Sequence, residues 1–205
     1  KVRGQVFLFD IEGVLMNDVK NLSNTSERVY YVNPWMRAVV EALMTNGNHV
    51  GFWTSATAEK LAEMRKAMSP VMAALPAIAR EDYEKVVSAY RARHLDQLAD
   101  QQVFETMRSV YPTVTMETFQ AGLGIFTGDR LEAFDDNPTY FLRGSKYPQL
   151  FISSGNGFFV DDDDGFIMSA TRNGWPASRA VKSDYNPGQE NAVKVAQAIA
   201  SAVNK

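Results

Sequence analysis

Four consecutive apolar residues, Val6-Phe7-Leu8-Phe9, run without alternation into Asp10, and a glycine follows at Gly13. Such a run has both faces buried, as an inner strand of a parallel sheet does; an antiparallel strand with one wet face would alternate. The residues that follow supply matching helices. Asn33-Pro34 opens one, with Asn33 as cap and Pro34 in the first helical position, and Gly47 stops it. Its apolar face is expected to comprise Trp35, Met36, Val39, Val40 and Leu43. His49 to Trp53 reads as a second strand ending at Thr54-Ser55, and a second helix with Leu61, Met64 and Met68 ends before Pro70. Strand, helix, strand, helix is the pattern of a parallel sheet covered by helices.

Residues 17 to 28 are polar and loop-like, and Val29 to Val32 adds a short extended segment. From Glu81 onward, Tyr83, Val86, Val87, Tyr90, Leu98, Phe104, Met107 and Tyr111 recur at near-helical spacing up to Pro112. Strands are expected around Thr139 to Leu142 and at Gly157 to Val160. A closing helix after Pro187 has Ala192, Val195, Ile199 and Val203 on its inner face. The expectation is a three-layer, Rossmann-like α/β fold with a central parallel sheet, its core drawn from residues 1–66 and 131–205. Residues 67–130 are expected to form a helical insertion that serves as a cap, a docking element or extra packing.

Composition narrows the function. With 205 residues, 45% of them hydrophobic, the chain can bury the core of one ordinary domain. It has no cysteine, which excludes thiolate metal sites, and its two histidines, His49 and His94, lie 45 residues apart, which argues against a histidine-rich one. A net charge of -3, with no basic run beyond Arg91 and Arg93, argues against nucleic acid as a partner. No apolar run reaches the roughly 18 residues of a membrane span. The lack of cysteine favours a reducing, cytoplasmic address, although Lys1 stands directly before the first strand without a Met and leaves room for a leader removed ahead of it.

In open parallel sheets, ligands sit beyond the carboxyl ends of the strands, so the residues just past each apolar run carry most weight. Asp10-Ile11-Glu12-Gly13 sets two carboxylates where a strand gives way to a turn; acidic turns are also ordinary structure. Thr54 ends the second strand, where its hydroxyl can meet a phosphate oxygen or cap the next helix. Phe158-Phe159-Val160 ends in the aspartates Asp161 to Asp164. That tract is no EF-hand loop: with Gly165 at the glycine position, the first ligand would be Val160 and the closing acid Thr171.

Taken in order, the acidic pair, the hydroxyl, a lysine and the late acidic pair resemble the haloacid dehalogenase superfamily of phosphohydrolases. The stretch VYYVNPWMRAVVEALMTNGNHVGFWTSATAEKL resembles the carboxy-terminal-domain phosphatases of that superfamily, the FCP and NLI-interacting-factor-like branch. The likeness is good over roughly residues 6 to 66, looser over 139 to 205 and absent between. It implies that Asp10 is a nucleophile forming an aspartyl-phosphate, and that Glu12 protonates the leaving oxygen and then activates water. Thr54, with Ser55, would hold the phosphoryl group. It also implies a Mg2+ ion held by Asp10, the backbone carbonyl of Glu12 and the late acids Asp161 and Asp162. The pattern needs a lysine upstream of the late motif, and Lys146 is the favoured candidate. Asp135-Asp136 with Arg130 is the competing late motif, although Asp-Asn-Pro is also a good turn sequence. Most members carry aspartate where this chain has Glu12, while enolase-phosphatases share the Asp-Ile-Glu-Gly motif. The implied activity is a Mg2+-dependent phosphomonoester phosphatase acting on a phosphorylated protein or small molecule. The alternatives are a phosphotransferase with the same intermediate, or a catalytically weak module that binds a phosphorylated partner.

Overall fold

The computed structural model describes residues 1–20, 28–82, 105, 108–112, 115, 157–172 and 175–204. Its centre is a five-stranded, all-parallel sheet flanked by helices, a Rossmann-like three-layer α/β arrangement. The strands are β1 (Val6–Phe9), β4 (His49–Trp53), β5 (Ala77–Ile78), β6 (Gly157–Asp161) and β7 (Ala180–Lys182), in spatial order β5-β4-β1-β6-β7. Strand β1 is the middle one, which explains its unbroken apolar run: Phe7, Leu8 and Phe9 have no solvent exposure. Phe7 stacks on Phe158 of the neighbouring strand with ring centroids 4.8 Å apart, inside the range where aromatic pairs attract.

From β1 the chain steps outward through β4 to β5 and then resumes on the other side of β1 with β6 and β7. The strand order therefore reverses beside β1, and a crevice opens at such a reversal beyond the carboxyl ends. Asp10, Thr54 and Asp161 stand at three adjacent strand ends for this reason.

Helix α1 (Pro34–Thr45) starts as expected: the Asn33 side chain accepts hydrogen bonds from the Trp35 and Met36 amides, at 3.1 and 3.0 Å. Its buried stripe is Met36, Val40 and Leu43, whereas Trp35 is 42% exposed and does not belong to it. Each residue turns the helix by about 100°, so Trp35 lies off the row that Met36 begins. Helix α2 (Ala58–Lys66) buries Leu61 and Met64; Met68 is also buried, just beyond its end. A short helix α3 (Pro70–Ala73) follows. After β6 come α4 (Asp164–Arg172) and a 3-10 turn at Ala177–Arg179. The closing helix α5 (Gln189–Val203) buries Ala192, Val195 and Ile199 and packs on α1.

Two expectations need correction. Residues 17–20 are not loop: they belong to β2 (Met16–Lys20), which pairs antiparallel with β3 (Arg28–Val32). This two-stranded ribbon is a separate sheet that meets the core through Met16, Tyr30 and Val32, and the polar residues of its strands resemble loop. The sheet also extends past residue 66. Strand β5, only two residues long, pairs with β4 inside the range assigned to the insertion. Near the end of that range, Val110 and Tyr111 are buried, and Tyr111 meets Trp175 edge-on. Most of the proposed helical stretch from Tyr83, and the strand expected at 139–142, lie outside the described residues. Among the described residues no helix is long and apolar enough to cross a membrane.

Candidate active site

The turn after β1 is built by backbone bonds. The Ile11 carbonyl accepts from the amides of Val14, Leu15 and Met16, and the Gly13 amide donates to Met16 at 2.8 Å. The chain reverses within four residues because Gly13 adopts φ +83°, a left-handed conformation that costs glycine nothing. Asp10 is thereby buried at the mouth of the sheet, anchored by its amide to the Val160 carbonyl at 2.9 Å.

Across the β1–β6 boundary lies the late acidic motif. The nearest carboxylate oxygens of Asp10, Asp161 and Asp162 lie within 4.8 Å of one another. Asp161 is almost fully buried and accepts from the Asp163 amide at 2.9 Å. Two carboxylates about 4 Å apart repel by about 4 kcal/mol at an effective dielectric of 20, so three of them gathered at a strand mouth favour a cation. The donors are hard carboxylate oxygens with no sulfur or imidazole among them, which suits Mg2+ or Ca2+. Among the described residues this is the one acidic group so arranged.

Thr54 is buried at the end of β4, and its amide donates to Ile78 of β5 at 3.0 Å. Its hydroxyl does not cap α2; that cap is Thr57, whose side chain accepts from the Lys60 amide. The Thr54 hydroxyl instead accepts from the Ala56 amide at 3.0 Å, within the local turn, which fixes the oxygen at the strand end. Ser55 stands beside it, its carbonyl held by Arg80 Nε at 2.9 Å.

These residues line one cavity of about 200 Å³. Its floor and walls include Asp10, Glu12, Thr54, Ser55, Asp161 and Asp162, with Asp163, Phe166 and Tyr185 completing it. Of the site residues expected from sequence, all six that are described thus meet in one place. Lys146, and the competing set Arg130, Asp135 and Asp136, lie outside the described residues.

Three further residues escape sequence reasoning. Lys60, in the first turn of α2, reaches across to Glu12, with Nζ 2.7 Å from Oε2. Its ammonium also lies 5.8 Å from the Tyr30 ring centre. Burial alone would lower the Lys60 pKa, but hydrogen bonds and charge from Glu12 and Tyr30 raise it above the ordinary lysine value. Phe166 and Tyr185 come from α4 and the β7–α5 loop; Phe166 lies just past the Asp161–Asp164 tract, whereas nothing in the neighbourhood of Tyr185 marks it as a site residue. A lysine in a helix and a tyrosine in a loop carry no spacing signal.

Comparison of the chain with protein-family models, curated proteins and solved structures finds no match.

Proposed function

We propose that this chain is a phosphomonoester phosphatase that works through an aspartyl-phosphate on Asp10 with Mg2+ as cofactor. The supporting observation is the meeting, at one cavity beside a reversal of strand order, of a buried carboxylate, a second acid, a hydroxyl and a late acidic pair. This is the division of labour that the haloacid dehalogenase resemblance implies.

In the first half-reaction an Asp10 oxygen attacks phosphorus. The bond from phosphorus to the leaving oxygen breaks, and that oxygen takes a proton from the Glu12 carboxyl. In the second, water attacks the phosphorus of the aspartyl-phosphate while the Glu12 carboxylate accepts its proton. The bond from phosphorus to Asp10 then breaks, releasing inorganic phosphate and restoring both acids. Thr54 and Ser55 orient the phosphoryl oxygens, and Lys146 is the cation the resemblance assigns to them. Asp10, the Glu12 carbonyl, Asp161 and Asp162 would hold Mg2+, which supplies the positive charge an anionic nucleophile needs beside a phosphate dianion.

Hydrolysis of an aryl phosphate, with and without Mg2+, tests the proposal. Turnover should require the metal and fall by about a thousandfold or more in Asp10→Asn. Metal-independent turnover, or full activity in that variant, would sink it.

One observation favours the weaker alternative, a module that binds a phosphorylated partner without efficient turnover. The Glu12 carboxylate is already engaged by Lys60, with Nζ 2.7 Å from Oε2, so the acid assigned to the leaving oxygen is tied to another partner. Phosphate-dependent binding without turnover in the same assay would select that reading.

A further inference from the structure

The cavity wall is acidic and hydroxylic except at Phe166 and Tyr185. Tyr185 is 52% exposed, so its ring is open to solvent where it lines the cavity. Its loop is nevertheless held tightly. The Asp184 amide donates to Asn191 Oδ1 at 2.9 Å, the Asn186 amide donates to the Gly13 carbonyl at 2.6 Å, and the Pro187 carbonyl accepts from the buried Asn33 side chain. Asn186 itself takes a left-handed φ of 48°. The Tyr185 ring lies directly on Gly13, where a β-carbon would overlap two of its ring carbons. A half-exposed aromatic is therefore fixed against the backbone of the residue that follows Glu12, the acid assigned to the leaving oxygen.

We propose that Tyr185, with Phe166, is an aromatic wall that binds the leaving group as a planar ring, so that the substrate is the phosphate monoester of a phenol. This rests on the phosphatase proposal above. The wall is a binding feature and adds no chemical step: the phosphoryl end lies with Asp10 and Thr54, and the ring lies with Tyr185. Stacking between aromatic rings favours a flat ring over a saturated one of similar size by about three- to tenfold.

The probes are phenylphosphonate and cyclohexylphosphonate, neither of which can be hydrolysed, titrated calorimetrically with Mg2+ present. The protein should bind phenylphosphonate about three- to tenfold more tightly. Tyr185→Leu should bring the ratio to about one, and Tyr185→Phe, which keeps the ring, should preserve it. Phe166→Leu, on a different element, reads the same ratio and should lower it, which keeps the test open if Tyr185→Leu does not fold. A ratio unchanged by both leucine variants, or a preference for the saturated ring, overturns the inference. Binding of neither phosphonate overturns it together with the phosphatase proposal, whereas Asp10-dependent turnover with an unchanged ratio overturns this inference alone. Phenyl phosphate and a phosphotyrosyl peptide, run separately against glycerol 2-phosphate, distinguish a small phenol from a protein side chain. The arm whose relative kcat/KM falls in Tyr185→Leu names the source, and a fall in neither overturns the inference.

Discussion

Two segments of the chain have the same outline, an apolar strand ending in carboxylates with a glycine soon after. One is β1 with Asp10, Glu12 and Gly13; the other is β6 with Asp161 to Asp164 and Gly165. The fold uses them differently. After β1 the chain turns sharply through a left-handed glycine, and both acids line the cavity. After β6 it enters a helix, and the aspartates divide their duties. Asp161 and Asp162 join Asp10. Asp163 accepts from the Phe166 amide at 3.1 Å and so caps α4, though it also lines the cavity. Asp164 is 82% exposed in its side chain and pairs loosely with Lys182 at 3.2 Å. Charge in sequence is thus a poor guide to charge at a site; the backbone path after the strand decides which carboxylates converge.

The sharpest test of this division is to neutralise one aspartate at a time. If Asp161 holds the metal, Asp161→Asn should raise the Mg2+ concentration for half-maximal activity at least about tenfold. Asp164→Asn should change it by less than about twofold, because an exposed pair contributes little. Magnesium titrations of the two variants make the comparison, and equal shifts would break the distinction.

The two glycines offer a second contrast. Gly13→Ala should cost about 1–3 kcal/mol, since alanine strains at φ +83° and would also displace the Tyr185 ring. Gly165 has no such backbone strain, and a β-carbon there meets only Asp163 Oδ1 at 2.9 Å, the end of a side chain that can shift. Alanine at Gly165 gains about 1 kcal/mol of helix propensity while disturbing the Asp163 cap, so its net effect should stay within about 1 kcal/mol. Urea unfolding of both variants reads the difference.

The smallest expected effect concerns Lys60, the partner of Glu12, which has no counterpart this close at the exposed Asp164. Its folded pKa is raised, so the pair stabilises the protein below the ordinary lysine pKa of about 10.4 and loses that contribution as pH rises through the folded value. Because the side chain is 37% exposed, solvent screening keeps this below about 1 kcal/mol. Melting temperatures followed from pH 8 to about pH 11.5 should fall slightly more for the native chain than for Lys60→Met.

Much of the architecture was legible because burial leaves a periodic mark. The unbroken run of β1, the Asn33-Pro34 start of α1 and the i, i+3, i+7 stripe of α5 each state how the segment meets the core. What was missed has weak local marks. Strand β5 is two residues long, and the β2–β3 ribbon meets the core through only a few scattered residues, Met16, Tyr30 and Val32, among polar ones. For the site, the strand-end rule picked out Asp10, Glu12, Thr54, Ser55, Asp161 and Asp162, since a strand's carboxyl end can be read from where its apolar run stops. Lys60 reaches Glu12 from a helix and Tyr185 reaches the cavity from a loop, where position along the chain predicts no position in space.

The sequence by itself determined that Val6–Phe9, His49–Trp53 and residues 157–160 are buried strands, and that helices start at Pro34 and follow Pro187, because hydrophobic burial imposes a period on each of these elements. Only the tertiary structure decided that β6 lies beside β1, that Lys60 meets Glu12, and that Tyr185 rests on Gly13. Those are contacts between residues 48 to 172 positions apart, set by strand order and loop path, and neither leaves a local pattern to read.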